Sequence, residues 1–185
     1  MRILAASGSL RAGSFNTSLL RAAVEAAPEG VELELWEGLG DLPLYDEDIE
    51  QDVPESARRL REDWAAADAI LFSTPEYNGS VPGGLKNAID WASRPKLEGV
   101  LRNKPVAVVG ASTGQFGALW AQQDLKRILG IAGARVVGTE IPVARADERF
   151  DNAGRLLDGE VFEELRLHLT TLASEAVAAS DRVAA

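Results

Sequence analysis

The chain has 185 residues, 46% hydrophobic and 26% charged, the balance of an ordinary soluble globular protein with room for one domain, spanning residues 1–185, and a substantial core. A formal charge of −10 and a pI near 4.7 argue against nucleic acid as a partner, because binding it needs a basic footprint. With no cysteine, disulfides, thiolate catalysis and cysteine-ligated metals are excluded. The apolar run after Met1 is too short for a signal peptide or a membrane span, so the expected compartment is the cytoplasm, with no membrane partner.

Ile3 to Ala6 reads as a first strand, closed by Ser7-Gly8-Ser9. A loop follows, and Ser14 is placed to cap a helix from Phe15 to about Ala27, with Leu19, Leu20, Ala23, Val24 and Ala27 on its apolar face. Val31 to Trp36 alternates apolar with acidic residues, the pattern of a half-exposed edge strand. Residues 38–52 form a long acidic loop containing Leu42-Pro43-Leu44-Tyr45, and loops of this length in a compact domain are often functional. Pro54 opens a helix running through Trp64 and Ala67.

Ala69 to Ser73 is a continuous apolar run, as expected of a central parallel strand covered on both faces. Thr74 to Ser80 make a polar-aromatic loop with an extended Thr-Pro step, a ring at Tyr77 and a permissive backbone at Gly79. Ser80 is the predicted cap of the next helix, with Pro82 in its first turn. Leu85, Ala88, Ile89 and Ala92 form the apolar face of that helix, which Arg94-Pro95 stops. Val106 to Gly110 predicts a fourth strand and Ala118 to Leu129 a helix, broken by Gly130 to Gly133. Ala134 to Val137 is the fifth strand, Thr139 to Asn152 reads as irregular, and a last helix spans about Glu160 to Ala179 before 181–185 fray. Strands alternating with helices imply a doubly wound α/β fold, a five-stranded parallel sheet of order 2-1-3-4-5. Ligands of such sheets bind at the carboxyl ends of the strands.

The first loop, Gly8 to Thr17, sits at that edge. Hydroxyls at Ser9 and Ser14, the Arg11 guanidinium and the N–H groups of a helix start together suit a phosphate, against the simpler reading of a polar turn with a surface arginine. Gly8 and Gly13 have Walker-A spacing, but Ser14 stands where the nucleotide-binding lysine belongs, and no G-x-G-x-x-G follows the strand. Gly110-Ala111-Ser112-Thr113-Gly114 matches a nucleophile elbow, and Asp147 or Asp151 and then His168 follow in hydrolase order. His168, the only histidine, falls mid-helix, which favours a structural role over a triad on Ser112. The acidic clusters Asp46-Glu47-Asp48 and Asp147-Glu148 read as solvated loops and not as metal cages. Trp64 and Trp91 lie on helical faces expected in the core or an interface, while Trp36 and Trp120 are open.

Two blocks taken together resemble the NADPH-dependent FMN reductase family, flavodoxin-like enzymes that include quinone and chromate reductases. The blocks are Gly8-Ser9-Leu10-Arg11 with Ser14-Phe15-Asn16, and Thr74 to Ser80 with Pro82 to Trp91. Leu42 to Asp46 is similar to the family's loop after its second strand. The resemblance implies that Ser9, Arg11, Ser14, Phe15 and Asn16 hold an FMN phosphate. It implies that Pro75, Glu76, Tyr77, Asn78 and Gly79 line the isoalloxazine ring, with Ser112 on its other side and no catalytic side chain or metal required. NADPH or NADH would be the co-substrate, and a quinone, flavin or other small oxidant the acceptor. An electron carrier of the same fold is the alternative, although the carriers' T-x-T-G-x-T loop is absent. The resemblance also implies a homodimer. Some relatives place an arginine before Ala-Gln in the helix after the third loop, at a subunit contact; Trp120 stands there in this chain, which leaves a tetramer open.

Overall fold

The computed structural model describes Met1–Ala184. Five parallel pairings build one six-stranded sheet from β1 (Arg2–Ser7), β2 (Glu32–Trp36), β3 (Ala69–Ser73), β4 (Pro105–Ala111), β5 (Arg135–Val136) and β6 (Pro142–Val143), on a path β2-β1-β3-β4-β5 with β6 beside β4. Registers such as Ala5 opposite Leu71 and Phe72 opposite Val108 put the ends of β1, β3 and β4 level with one another. The helices are α1 (Phe15–Glu25), α2 (Glu55–Ala66), α3 (Gly83–Ala92), α4 (Leu119–Ile131), the short α5 (Ala146–Arg149) and α6 (Gly159–Ala184).

The two-residue period of the strands divides the core. Ile3, Ala5, Leu71, Ala107 and Val109 face α1 and α6, where they meet Leu19, Leu20, Leu165, Leu169 and Leu172. Leu4, Ala6, Ile70, Phe72, Val106 and Val108 face the other way, onto α2, α3 and α4. There Trp64 packs edge-on between Trp36 and Phe72, at 5.4 and 5.3 Å between ring centroids. Trp91 is buried against Tyr45. Trp64 and Trp91 are therefore core residues, as expected, and Trp36 joins them at the edge with its indole N–H donated to Asp63.

Four local expectations are corrected. Ser80 does not cap α3; the helix starts at Gly83 after Pro82, and Ser80 closes the preceding turn. Helix α4 runs through Gly130, whose missing side chain is tolerated within the helix, and ends at Ile131. Part of the stretch read as irregular, 139–152, is β6 and α5. β5 pairs with β4 only at Pro105 and Val106; the chain then turns at Gly138, with φ +73°, and returns as β6 beside Gly110 and Ala111. One edge of β4 is thus shared by two very short strands. Finally, α6 continues to Ala184, so 181–184 are helical, and Ala185 lies outside the described residues.

Candidate functional site

Three loops meet at the carboxyl ends of β1, β3 and β4. One buried side chain joins them. Asn16, in the first turn of α1, donates from Nδ2 to the Ala111 carbonyl (2.9 Å) and accepts at Oδ1 from the Ala111 N–H (3.0 Å) and the Ser73 hydroxyl (2.9 Å). Its amide docks on Ala111 as a peptide group of a neighbouring strand would, at the point where β3 has ended. What Asn16 leaves for a ligand is mainly its backbone N–H.

The first loop delivers the N-terminus of α1. Ser14 caps it by accepting from the Thr17 N–H (3.3 Å). The N–H groups of Ser14, Phe15 and Asn16 have no partner among the described residues, so they form an open anion-binding end. Arg11 is exposed, pairs with no carboxylate among the described residues and lies over the Phe15 ring at 5.4 Å. Ser9 accepts from the Arg11 N–H (3.4 Å), which leaves its hydroxyl hydrogen to donate. This is the one cation and the hydroxyl set that a phosphate monoester needs beside a helix start.

The second loop is a tight hairpin. Tyr77 and Ser80 exchange both backbone hydrogen bonds (3.1 and 3.2 Å), and the residues between them, Asn78 and Gly79, both have positive φ (53° and 75°). That is the signature of a type I′ turn, for which Asn-Gly is the preferred pair. The loop is clamped to α4 at two points. Glu76 Oε2 accepts from the Ala121 N–H (3.1 Å), and the Ser80 hydroxyl donates to Asp124 (2.5 Å). That hydroxyl, with Arg127 beside it, holds the Asp124 carboxyl below the usual carboxylate range. Pro75 and Thr74 are buried beneath, with the Thr74 hydroxyl bonded to the Pro75 carbonyl.

The third loop follows β4. Gly110 is needed for close approach: a Cβ there would lie 2.8 Å from the Thr74 carbonyl and 2.9 Å from Gln122 Nε2. Gln122, fully buried in α4, donates to the Gly117 carbonyl (3.0 Å) and accepts from the Ile141 N–H (3.1 Å), fixing both the loop and the entry to β6. Ser112 Oγ accepts from the Gly114 N–H, and no base reaches it among the described residues. His168 packs instead on Gly138, beside Lys126 and Glu140; burial first, and Lys126 second, push its pKa down to about 4. Asp151 is engaged by Arg155. The triad suggested by the Gly110–Gly114 motif is not assembled, and His168 is a packing residue.

Between the loops lies a cleft of about 190 Å³ lined by Ser9, Arg11, Ser14, Phe15, Asn16, Pro75, Glu76, Tyr77 and Ser112. Asn78 and Gly79 stand at the exposed tip beside it. Of the sequence-predicted residues, all but Asn78 and Gly79 therefore line one cleft. Sequence reasoning missed Gln122 and the Glu76–Ala121 clamp, and it did not see that the Asn16 side chain is committed to the scaffold. The remaining loop, after β2, is pinned to α3 by Asn87, which bonds the Tyr45 N–H and the Pro43 carbonyl (2.7 and 2.9 Å).

Known proteins share this sequence pattern and this fold. The family model for NADPH-dependent FMN reductases matches residues 1–148. An NAD(P)H-dependent FMN reductase of Pseudomonas aeruginosa is 42% identical over 174 residues, 93% of either chain. A quinone reductase of Pseudomonas putida is 42% identical over 153 residues, 82% of either chain. Among solved structures, the flavoenzyme FerB of Paracoccus denitrificans, an NAD(P)H:(acceptor) oxidoreductase, superposes with a TM-score of 0.83 at 35% identity, covering 96% of this chain and 97% of its own.

Proposed function

The chain belongs to the NADPH-dependent FMN reductase family, and from that premise we propose that it is an FMN-dependent oxidoreductase that uses NADPH or NADH to reduce quinones or other small oxidants. The net reaction is NAD(P)H plus a proton plus quinone giving NAD(P)+ plus hydroquinone. FMN, when bound, supplies the chemistry by taking hydride from the nicotinamide and passing electrons to the acceptor, so the protein's part is to bind, orient and tune. The observation that carries this reading is the open N-terminus of α1 with an unpaired Arg11 beside it, at the edge where three loops are locked together.

The N–H groups of Ser14, Phe15 and Asn16, the Ser9 and Ser14 hydroxyls and the Arg11 guanidinium would hold the phosphate. Pro75 to Gly79 would receive the ring on one side and Ser112 with its loop on the other. The clamps from Glu76 and Ser80 to α4 keep the ring-side loop in place before any ligand arrives, which lowers the ordering cost of binding. No side-chain acid or base is assigned.

We further read residues 1–185 as one FMN-binding domain acting in the cytoplasm; no helix among the described residues is long and apolar enough to cross a membrane. A homodimer is part of the same reading. A groove of about 630 Å³ between α3 and α4 leaves Leu97 and Ile131 71% and 76% exposed, which favours a covering partner on that face.

The test is reconstitution. Protein mixed with FMN should take up one flavin per chain and bleach on anaerobic addition of NADPH or NADH, with turnover when a quinone is added. Absence of flavin uptake at micromolar protein refutes the reading. A reduced flavin that forms only with chemical reductants, never with a pyridine nucleotide, would instead identify an electron carrier.

A further inference from the structure

We propose that Trp120 and Phe116 form a stacking platform for a flat, uncharged electron acceptor at the mouth of the cleft, and so set the preference for quinone-like oxidants. The inference rests on the flavin reading above and adds to it the residues that choose the acceptor.

Neither ring is buried by the rest of the chain. Trp120 and Phe116 are 49% and 46% exposed, whereas Trp64 and Trp91 are fully buried. Their centroids lie 4.8 Å apart with the planes at 50°, so each ring covers only part of the other and leaves aromatic surface open. The Trp120 indole N–H has no partner among the described residues, unlike those of Trp36 and Trp91.

Their position ties them to the cleft. Trp120 stands immediately before Ala121, whose N–H is held by Glu76, and Tyr77, also exposed, stands immediately after Glu76. One hydrogen bond therefore joins the residues next to an exposed ring on the second loop and an exposed ring in the first turn of α4. Phe116 belongs to the loop whose start, Ser112 and Thr113, lines the same cleft.

Charge narrows the class of ligand. From Gly110 to Gln123 the chain has no charged side chain, although the protein as a whole carries −10. Among the residues lining the cleft the one cation, Arg11, lies at the α1 end, and the carboxylate of Glu76 stands beside the start of α4, so an oxyanion finds no charge pairing on the cleft wall at this end. A neutral planar ring needs none and gains from stacking.

The test compares 1,4-naphthoquinone, flat and neutral, with ferricyanide, compact and anionic, on FMN-loaded protein. In Trp120→Ala the ratio of kcat/KM for naphthoquinone to that for ferricyanide should fall about 10-fold, through KM, with Phe116→Leu showing a smaller fall and Trp120→Phe restoring most of it. Calorimetric titration of the oxidised protein with naphthoquinone, without nucleotide, should show the same loss of affinity. FMN affinity should not change. An unchanged ratio, or equal losses for both oxidants, overturns the proposal. So does a change of oligomeric state in Trp120→Ala by sedimentation velocity, which would make the pair a subunit contact. Failure of the wild type to take up FMN would overturn the flavin reading itself and is seen separately, before any acceptor is added.

Discussion

Replacing Asn16 by alanine probes the joint on which the three loops depend. The substitution removes three buried hydrogen bonds, to the Ala111 N–H, the Ala111 carbonyl and the Ser73 hydroxyl. Each neutral bond contributes about 1 kcal/mol net, and a buried group left unpaired costs about 1–3 kcal/mol. Ser73 can turn its hydroxyl elsewhere, but the Ala111 peptide groups face the space Asn16 occupied. The expected loss is therefore about 4 kcal/mol. At a urea slope of about 2 kcal/mol/M, the denaturation midpoint falls by roughly 2 M. Asn16→Asp should do no better, because a carboxylate oxygen would then face the Ala111 carbonyl. Ser73→Ala removes only one bond and should cost about 1 kcal/mol. The reasoning is refuted if Asn16→Ala moves the midpoint by less than about 0.5 M, or if Ser73→Ala costs as much as Asn16→Ala.

Arg11→Ala should weaken FMN binding about 10- to 100-fold, the worth of one charge-assisted hydrogen bond, and leave riboflavin affinity unchanged; flavin fluorescence titrations compare the two, and equal losses would make Arg11 a support of the loop. Because the folded pKa of His168 lies near 4, below the value of 6.5 for a free histidine, the unfolded chain binds the extra proton first. Stability from this group is complete above about pH 6.5 and is lost as pH falls toward 4, a change of about 3 kcal/mol; His168→Leu should flatten the urea midpoint over that window, and an undiminished slope would exclude the histidine as its source. Gly110→Ala pushes a methyl against the Thr74 carbonyl and Gln122 and should cost about 1–3 kcal/mol, read as a melting temperature lowered by roughly 3–10 °C, while no change would show that the loops can move apart.

The fold was legible where periodicity is strong. Ala69 to Ser73 and Val106 to Gly110 are uninterrupted apolar runs, and burial on both faces is what such runs require. β6 was not legible, because Pro142 and Val143 form a two-residue strand held by tertiary pairing with Gly110 and Ala111, and no period can be read from two residues. The turn at Asn78-Gly79 was legible in principle, since Asn-Gly is a strong hairpin signal, but the two flanking strand positions reduce to the single Tyr77–Ser80 bridge. At the site, Ser9, Arg11 and Ser14 announce themselves by chemistry and place. Gln122 does not, because a glutamine in a helix looks like a surface residue until the Gly117 and Ile141 backbones are seen to close around it.

Two helix N-termini engage the loops of the cleft, and they differ in one respect. The start of α1 has open N–H groups, while the first turn of α4 has its Ala121 N–H already taken by a carboxylate of the protein itself, Glu76. One terminus is thus a vacancy for negative charge and the other has been filled from within. A rod-shaped ligand with an anionic tail and a neutral flat head can seat only one way round, because reversing it would bring the tail against Glu76. The Glu76 carboxylate and the open start of α1 together set the direction of insertion, and the flat head would be left at the end where Tyr77, Phe116 and Trp120 are exposed.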